Sequence, residues 1–205
     1  MITIEEARQH YEGTDAIHGF DHVLRVLALA ERLAQAEGAD LEIVRTAALL
    51  HDVARGREEH LRPEHARIGA EYARQLLAGH PAEKVEAVAH AIASHRFRSG
   101  PDPQTVEARV LHDADKLDAI GAIGVARAFA YGGEKGQRIW AQVPPGYEES
   151  EETRDEHTPV HEYQMKLVKI QDRLLTESAR RLAEERHSFM VVFFERLERE
   201  VRGLA

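Results

Sequence analysis

Residues 47–54, AALLHDVA, place a histidine and an aspartate, His51 and Asp52, inside an otherwise apolar run. Such a run is typical of a helix that is packed on most of its sides. Desolvating two ionisable side chains costs free energy unless another group pairs with them. A divalent metal ion is one such partner, because neutral imidazole and carboxylate are both good ligands. A buried hydrogen bond between the two side chains, or a helix end that faces solvent, is the alternative interpretation.

The composition sets broad limits on partners and location. The chain has 205 residues, which is enough for one well-packed domain. A formal charge of −9 gives no long-range attraction to polymeric nucleic acid or to an anionic membrane. The absence of cysteine excludes disulfides, zinc–thiolate sites and cysteine nucleophiles. The sequence shows neither a signal peptide nor the roughly 20 apolar residues that cross a bilayer, so we expect a cytoplasmic protein.

The periodicity of apolar residues predicts an all-α fold. Apolar residues recur at spacings of three and four, and no segment shows sustained alternation with period two. Thr3 and Glu6 form a capping-box signal, which predicts a helix from residue 4. Gly38 and Asp40 predict the end of the second helix and the start of a third, which carries residues 47–54. Pro63 is predicted to open another helix in its first turn.

The C-terminal half continues the helical pattern after one long interruption. A helix that opens at Pro81 brings His95 near its apolar face, and another runs from Val106 through Leu117. Residues 133–157 lack periodicity and are predicted to form a loop. Thr158 is predicted to cap a further helix, and a long last helix carries apolar residues at helical spacing. We interpret residues 1–205 as a single domain with a motif core at 18–131, the loop at 133–157 and C-terminal helices at 158–203.

Ligand-capable side chains occur on three of these predicted helices. His18 and His22 are four residues apart, and residues 111–118, LHDADKLD, hold three aspartates in a half-buried pattern. One scheme accounts for these features: each helix gives His or Asp to one divalent ion, which keeps open positions for water and a substrate oxygen. Such an ion lowers the pKa of water and polarises the bond under attack.

The sequence resembles the HD-domain superfamily of metal-dependent phosphohydrolases. The resemblance rests on HVLRV at 22–26, AALLHD at 47–52 and ADKL at 114–117, which follow the family's order H…HD…D. It implies a single HD-domain helical bundle with additional C-terminal helices. The metal ligands that it implies are His22, His51, Asp52 and Asp115. Asp113 is the alternative to Asp115, but the family's last aspartate usually precedes a basic residue and then leucine, as Asp115 does.

The same resemblance implies hydrolysis of a nucleotide or another small phosphate ester. Asp52 and three histidines are its catalytic candidates; His18 acts as a general acid or supports a ligand, while His65 and His95 contact substrate or donate protons. The candidates for binding phosphate are basic side chains, which donate hydrogen bonds to its oxygens. With one carboxylate they form the predicted substrate-binding set: Arg25, Arg96, Lys116 and Asp118. Ordinary salt bridges on a solvated helix face are the alternative for the three basic residues, and a surface or helix-packing charge is the alternative for Asp118.

The resemblance implies one divalent metal ion, with Mn, Fe, Co, Ni, Mg and Zn all compatible with mixed imidazole and carboxylate ligands. A second ion, held by extra histidines such as His65 and His95, is a minority hypothesis because this chain lacks the paired adjacent histidines of relatives that use two. Two other functions stay open: a di-iron HD-fold oxygenase and a non-catalytic nucleotide or metal sensor. A homo-oligomer is compatible with the sequence.

Overall fold

The structure, a computed structural model, describes residues 1–11, 19–55, 64–96, 100–147 and 156–205. These ranges contain helices and no β-strand, which confirms the all-α prediction. Two short 3-10 turns, Leu167–Lys169 and Gln171–Arg173, precede the last helix. The α-helices are α1 (Ile4–Arg8), α2 (Phe20–Glu37), α3 (Leu41–Leu50), α4 (His65–Leu76), α5 (Ala82–Ser94), α6 (Val106–Asp118), α7 (Gly121–Glu134), α8 (Pro159–Met165) and α9 (Glu177–Val201).

Three predicted helix ends are confirmed by their capping contacts. The Thr3 hydroxyl accepts from the Glu6 amide, and the Glu6 carboxylate accepts from the Thr3 amide in return. Gly38 ends α2 in the left-handed region, with φ of 70°. The Asp40 carboxylate accepts from two amides in the first turn of α3. Pro63 lies outside the described residues, and α4 begins at His65.

The third helix is shorter than predicted. It ends at Leu50, so His51 is its C-terminal capping residue and Asp52 lies in the following turn. The Val53 amide donates to the Leu50 carbonyl at 3.2 Å, which is a tighter turn than an α-helix makes. The prediction that the His–Asp pair lies within the helix is therefore wrong, and the pair lies where the helix stops.

The chain forms two compact units. The first comprises Met1–Leu117 with Leu174–Ala179, and the second comprises Asp118–Arg173 with Arg180–Ala205. In the first unit α3 packs against α2 and α5, and α4 packs against α5. The residues of this core include Val23, Val26, Leu33, Val44, Leu49, Leu50 and Ile92, all essentially inaccessible to solvent. The interpretation of residues 1–205 as a single domain stays a prediction.

In the second unit α7 packs against α8. Met190 is buried, and the ring of Tyr163 stacks on that of Phe194 with centroids 4.1 Å apart. Phe189 and Val192, which share the helical spacing of the apolar α9 residues, are instead 47% and 65% exposed. The predicted loop follows α7, and its residues 148–155 lie outside the described ranges. Among the helices described, none has the length and apolar character of a membrane span.

Candidate metal centre

The end of α3 fixes the tautomer of His51. Its Nδ1 lies 2.8 Å from the carbonyl oxygen of Ala48, and because a carbonyl only accepts, Nδ1 carries the proton. The other ring nitrogen, Nε2, therefore presents a lone pair. That nitrogen lies 3.4 Å from Nε2 of His22, which is on α2. A backbone carbonyl that orients the ring in this way is a common feature of histidines that bind metals.

His22, His51 and Asp52 form the first of two triads of ligand-capable side chains. Their ligand atoms all lie within 4.8 Å of one another. Each of the two Nε2 atoms is 3.8 Å from Oδ2 of Asp52. All three side chains are at most 2% exposed. Burying two imidazoles and a carboxylate around a common point is costly unless a cation or protons compensate them.

Asp115 brings α6 to the first triad. Its Oδ1 atom lies 3.5 Å from Nε2 of His22, and its Oδ2 atom lies 2.7 Å from the ammonium of Lys116. The same ammonium donates to the backbone carbonyl of His95 at 3.2 Å. Lys116 therefore balances the charge of Asp115 on one side and leaves the other oxygen directed toward His22.

Asp113, the alternative ligand, contacts a different part of the first unit. Its carboxylate accepts from the Thr176 amide and the Thr176 hydroxyl, both at 2.7 Å, and from the Leu175 amide at 3.0 Å. His112 Nδ1 lies 2.9 Å from the same carboxylate. The Asp113 side chain is inaccessible to solvent and caps the segment that enters α9.

The second triad consists of Asp52, His65 and His95. Oδ1 of Asp52 lies 3.2 Å from Nε2 of His65 and 3.7 Å from Nε2 of His95. His95 Nδ1 donates to the Ile92 carbonyl at 2.6 Å, so its Nε2 also presents a lone pair. Within the described part of the chain, Asp52 Oδ1 receives no hydrogen bond of normal geometry although it is buried. Asp52 thus directs Oδ2 toward His22 and His51, and Oδ1 toward His65 and His95.

The charges in the site favour neutral imidazole beside ionised carboxylate. Burial, together with the neighbouring imidazoles, lowers the pKa of His51 to about 4 against the opposing charge of Asp52. Burial would raise the pKa of Asp52, but the imidazoles and Arg55 hold it well below its usual value. Burial likewise opposes ionisation of Asp115, and Lys116 and His22 keep its pKa well below the normal range. These are the protonation states in which histidine and aspartate bind metals.

The predicted substrate-binding residues are spread more widely. Arg25 is bound to Asp21 at 2.6 Å on the surface of α2, and Arg96 is half-buried immediately after His95. Lys116 lies at the site, as described above. Asp118, in the second unit, is paired with Arg127 at 3.0 Å and is 1% exposed. His18, predicted as a catalytic residue, lies outside the described residues.

Two residues near the site, Arg55 and Tyr11, are not among the predicted site residues. Arg55, one turn beyond Asp52, places Nη1 3.3 Å from Oδ2 of Asp52 and remains 34% exposed. Tyr11 is buried and donates its hydroxyl to the carbonyl of Leu49, two residues before His51, at 3.0 Å. The spacing of three residues from Asp52 is a signal that could have identified Arg55. Only the tertiary fold brings Tyr11 to this position.

Comparison with known proteins identifies the family. The family model of the HD domain matches residues 19–120. The uncharacterized protein YpgQ of Bacillus subtilis is 35% identical over 193 residues, which cover 91% of this chain and 86% of YpgQ. This chain belongs to the HD-domain superfamily. The two triads described above lie within the matched region, and HD-domain membership implies binding of a divalent metal ion.

Solved structures share both the fold and nearly the full length of this HD-domain protein. The crystal structure of B. subtilis YpgQ in complex with ADP has a TM-score of 0.77 at 31% identity, covering 99% of this chain and 100% of that one. An HD-superfamily hydrolase of Bacillus thuringiensis has a TM-score of 0.73 at 32% identity, covering 97% and 94%.

The chain is also similar in sequence to part of a much larger protein. Ribonuclease Y of Chloroflexus aurantiacus is 34% identical over 148 residues, which cover 60% of this chain but only 27% of that relative. The shared part therefore represents about a quarter of ribonuclease Y.

Proposed function

We propose that this protein is a metal-dependent phosphohydrolase that acts on a nucleotide or another small phosphate ester. The observation that carries the proposal is the buried triad of His22, His51 and Asp52 in the first unit, with Oδ1 of Asp115 3.5 Å from Nε2 of His22. Two imidazoles, of which His51 presents a neutral nitrogen, with two carboxylates whose pKa is held low, match the charge of a divalent cation.

The proposed centre is held by those four residues. Mn, Fe, Co, Ni, Mg and Zn remain candidates for the ion, since the donor set does not discriminate strongly among them. When bound, such an ion would supply Lewis acidity, which would lower the pKa of water and polarise a phosphoryl oxygen. The unsatisfied Oδ1 of Asp52 supports the fit, because a buried carboxylate oxygen without a donor is stabilised by a cation.

The remaining side chains orient the substrate and move protons. Arg55 and Arg25 are partly exposed and provide guanidinium groups for phosphate oxygens. His95 holds its Nδ1 proton against Ile92, which leaves Nε2 to accept a proton near Asp52. His65 faces the same oxygen of Asp52 and is the second candidate for proton transfer.

Two comparisons bear on the substrate. The ADP complex of YpgQ supports a nucleotide, and the similarity to a hydrolase supports the reaction class. Ribonuclease Y raises the possibility of polymeric RNA, but this chain spans only 27% of that protein and carries a net charge of −9. A small nucleotide therefore accords better with the charge of the chain.

The shared carboxylate of Asp52 favours one alternative specifically. The second triad could hold a second ion, with Asp52 bridging the two, as carboxylates do in two-metal sites whose ions are about 3.5–4 Å apart. If both ions were iron and the centre consumed dioxygen, the protein would be a di-iron oxygenase rather than a hydrolase. Metal content and oxygen consumption separate these functions.

The test combines metal analysis with a substrate panel. The purified protein is analysed for bound metals, then assayed with nucleoside mono-, di- and triphosphates and simple phosphate esters using each candidate ion. We expect turnover in the wild type, a loss of at least about a thousandfold in Asp52→Ala, and no change in Asp102→Ala, which removes an exposed aspartate.

Full activity in a folded Asp52→Ala variant would reject the proposal. A wild type that binds nucleotide but turns over no member of the panel with any ion would instead indicate a non-catalytic sensor. Oxygen consumption without phosphate release would favour the oxygenase.

A further inference from the structure

The ligand-bearing turn at the end of α3 depends on side chains for its hydrogen bonds. The last carbonyl groups of an α-helix have no partner within the helix. Here the Ala48 carbonyl accepts from His51 Nδ1 at 2.8 Å, and the Leu50 carbonyl accepts from the Val53 amide at 3.2 Å. The carbonyl between them, that of Leu49, accepts from the hydroxyl of Tyr11 at 3.0 Å. Tyr11 comes from the segment after α1, 38 residues earlier.

Burial and packing hold the ring that carries this hydroxyl. The ring is 5% exposed and packs at 5.4 Å from the ring of Phe20, which opens α2. Burial, with the charge of Asp52, holds the pKa of Tyr11 well above its usual value, so the phenol keeps its proton at neutral pH.

We propose that Tyr11 is a positioning residue for the metal centre, whose hydroxyl fixes the turn that carries His51 and Asp52. The inference rests on the proposed function, because it requires that these two side chains bind a divalent ion. Residues that support ligands from behind affect metal affinity by about 10- to 100-fold in other proteins. Ligand geometry tolerates displacements of only about 0.5 Å, and a turn that loses the Tyr11 contact can move by more.

The test compares two tyrosine-to-phenylalanine substitutions. Tyr11→Phe removes the hydroxyl at the turn and keeps the ring. Tyr72→Phe is the matched control, because the Tyr72 hydroxyl bonds in the same unit to His10 Nδ1, at 2.9 Å, rather than to the turn that carries the ligands. Each variant loses one hydrogen bond, so a purely structural role predicts similar losses of thermal stability and equal metal affinities.

The probe is Mn²⁺ alone, titrated by calorimetry into metal-free protein. We expect the Kd of Tyr11→Phe for Mn²⁺ to rise about tenfold, and that of Tyr72→Phe to stay within twofold of the wild type. With saturating Mn²⁺, kcat of Tyr11→Phe should fall while KM for the substrate stays near the wild-type value. Equal affinities in wild type and Tyr11→Phe would overturn the role of Tyr11.

A second measurement needs no variant. Because the Tyr11 hydroxyl donates to the Leu49 carbonyl, its own proton should exchange slowly in metal-free wild type, and fast exchange would contradict the inference. If the proposed function is wrong, the wild type itself binds no divalent ion, which is a different result from equal affinities in wild type and variant. That outcome is read from the wild-type titration before any variant is compared.

Discussion

Asp113 and Asp115, two residues apart on α6, have different neighbours: Asp113 Oδ2 lies 2.7 Å from the Thr176 amide, and Asp115 Oδ1 lies 3.5 Å from His22 Nε2. The first carboxylate is bound by donors of its own chain and is inaccessible to solvent. The second keeps one oxygen directed at the first triad. One helix thus supplies a capping group to the start of α9 and a candidate ligand to the metal centre.

This division predicts different effects of two matched substitutions. Asp115→Asn should weaken metal binding by more than tenfold, because it removes a charge from the proposed ligand set. It should lower the stability of the metal-free protein only through loss of the ion pair with Lys116. Asp113→Asn should lower the free energy of unfolding by about 1.5–3 kcal/mol, the usual range for hydrogen bonds to a charged group, with little effect on metal affinity. Calorimetric metal titration and chemical denaturation measure both quantities. Loss of metal binding in Asp113→Asn alone would exchange the two assignments.

Lys116 is predicted to act through Asp115 rather than on the substrate. Its ammonium lies 2.7 Å from Asp115 Oδ2 and donates to the His95 carbonyl, so Lys116→Gln removes the charge that keeps the Asp115 pKa low. The pKa of Asp115 should then rise, and the carboxylate should become protonated at higher pH. The acidic limb of the pH–activity profile should therefore move upward, whereas the exposed control Lys169→Gln should leave it in place.

A phosphate-binding role for Lys116 makes a different prediction. In that case Lys116→Gln would raise KM for the substrate and leave both the acidic limb and the metal affinity as they are in the wild type. Kinetics across pH, with metal held at saturation, separate these two outcomes.

Much of the candidate site could be predicted because its signal is local. An ionisable pair inside an apolar run is visible in residues 47–54, and histidine and aspartate motifs follow in a recognisable order. The choice of Asp115 over Asp113 also has a local signal, the lysine and leucine that follow it. The role of Asp113 is not local, because it depends on Thr176, which is 63 residues away. The end of α3 at Leu50 is equally hidden, since the Leu49 carbonyl bonds to a tyrosine from another segment.

The helical pattern was informative about secondary structure and less so about burial. Capping residues such as Thr3, Gly38 and Asp40 define helix ends through contacts within a few residues, so the sequence predicted them correctly. Phe189 and Val192 have the spacing of core residues, yet they are exposed because α9 is covered only along the face that carries Met190 and Phe194. Periodicity defines the faces of a helix and leaves open how much of each face is covered.

Glu162, in the second unit, should make the free energy of unfolding depend on pH in the acidic range. Burial would raise its pKa, but His157 and Lys166 lower it to about 2, from 4.5 when unfolded. Above the unfolded value both states are ionised and the stabilisation is complete; as pH falls below 4.5, the unfolded chain takes up the proton first and stability is lost. This group should account for about 1 kcal/mol of lost stability at pH 4.

The comparison with Glu162→Gln isolates that contribution. The variant should be less stable than wild type at pH 7, and the difference should shrink toward pH 4, measured by denaturation in the presence of a chelator. Glu134→Gln, which alters an exposed glutamate beside Lys135, should show no such convergence. A difference between wild type and Glu162→Gln that stays constant with pH would contradict the low pKa.

His65 and His95 decide how many ions the centre holds. If they serve substrate and protons, as proposed, wild type binds one ion tightly, and His65→Ala keeps that ion while kcat falls by about 10²- to 10⁴-fold, the usual contribution of a general acid or base. If Asp52 bridges two ions, wild type binds two equivalents and His65→Ala retains one. His80→Ala, which changes an exposed histidine, is the matched control and should alter neither quantity. Metal stoichiometry measured beside kcat on the same samples separates the two cases, because only a two-ion centre loses an equivalent of metal together with its activity.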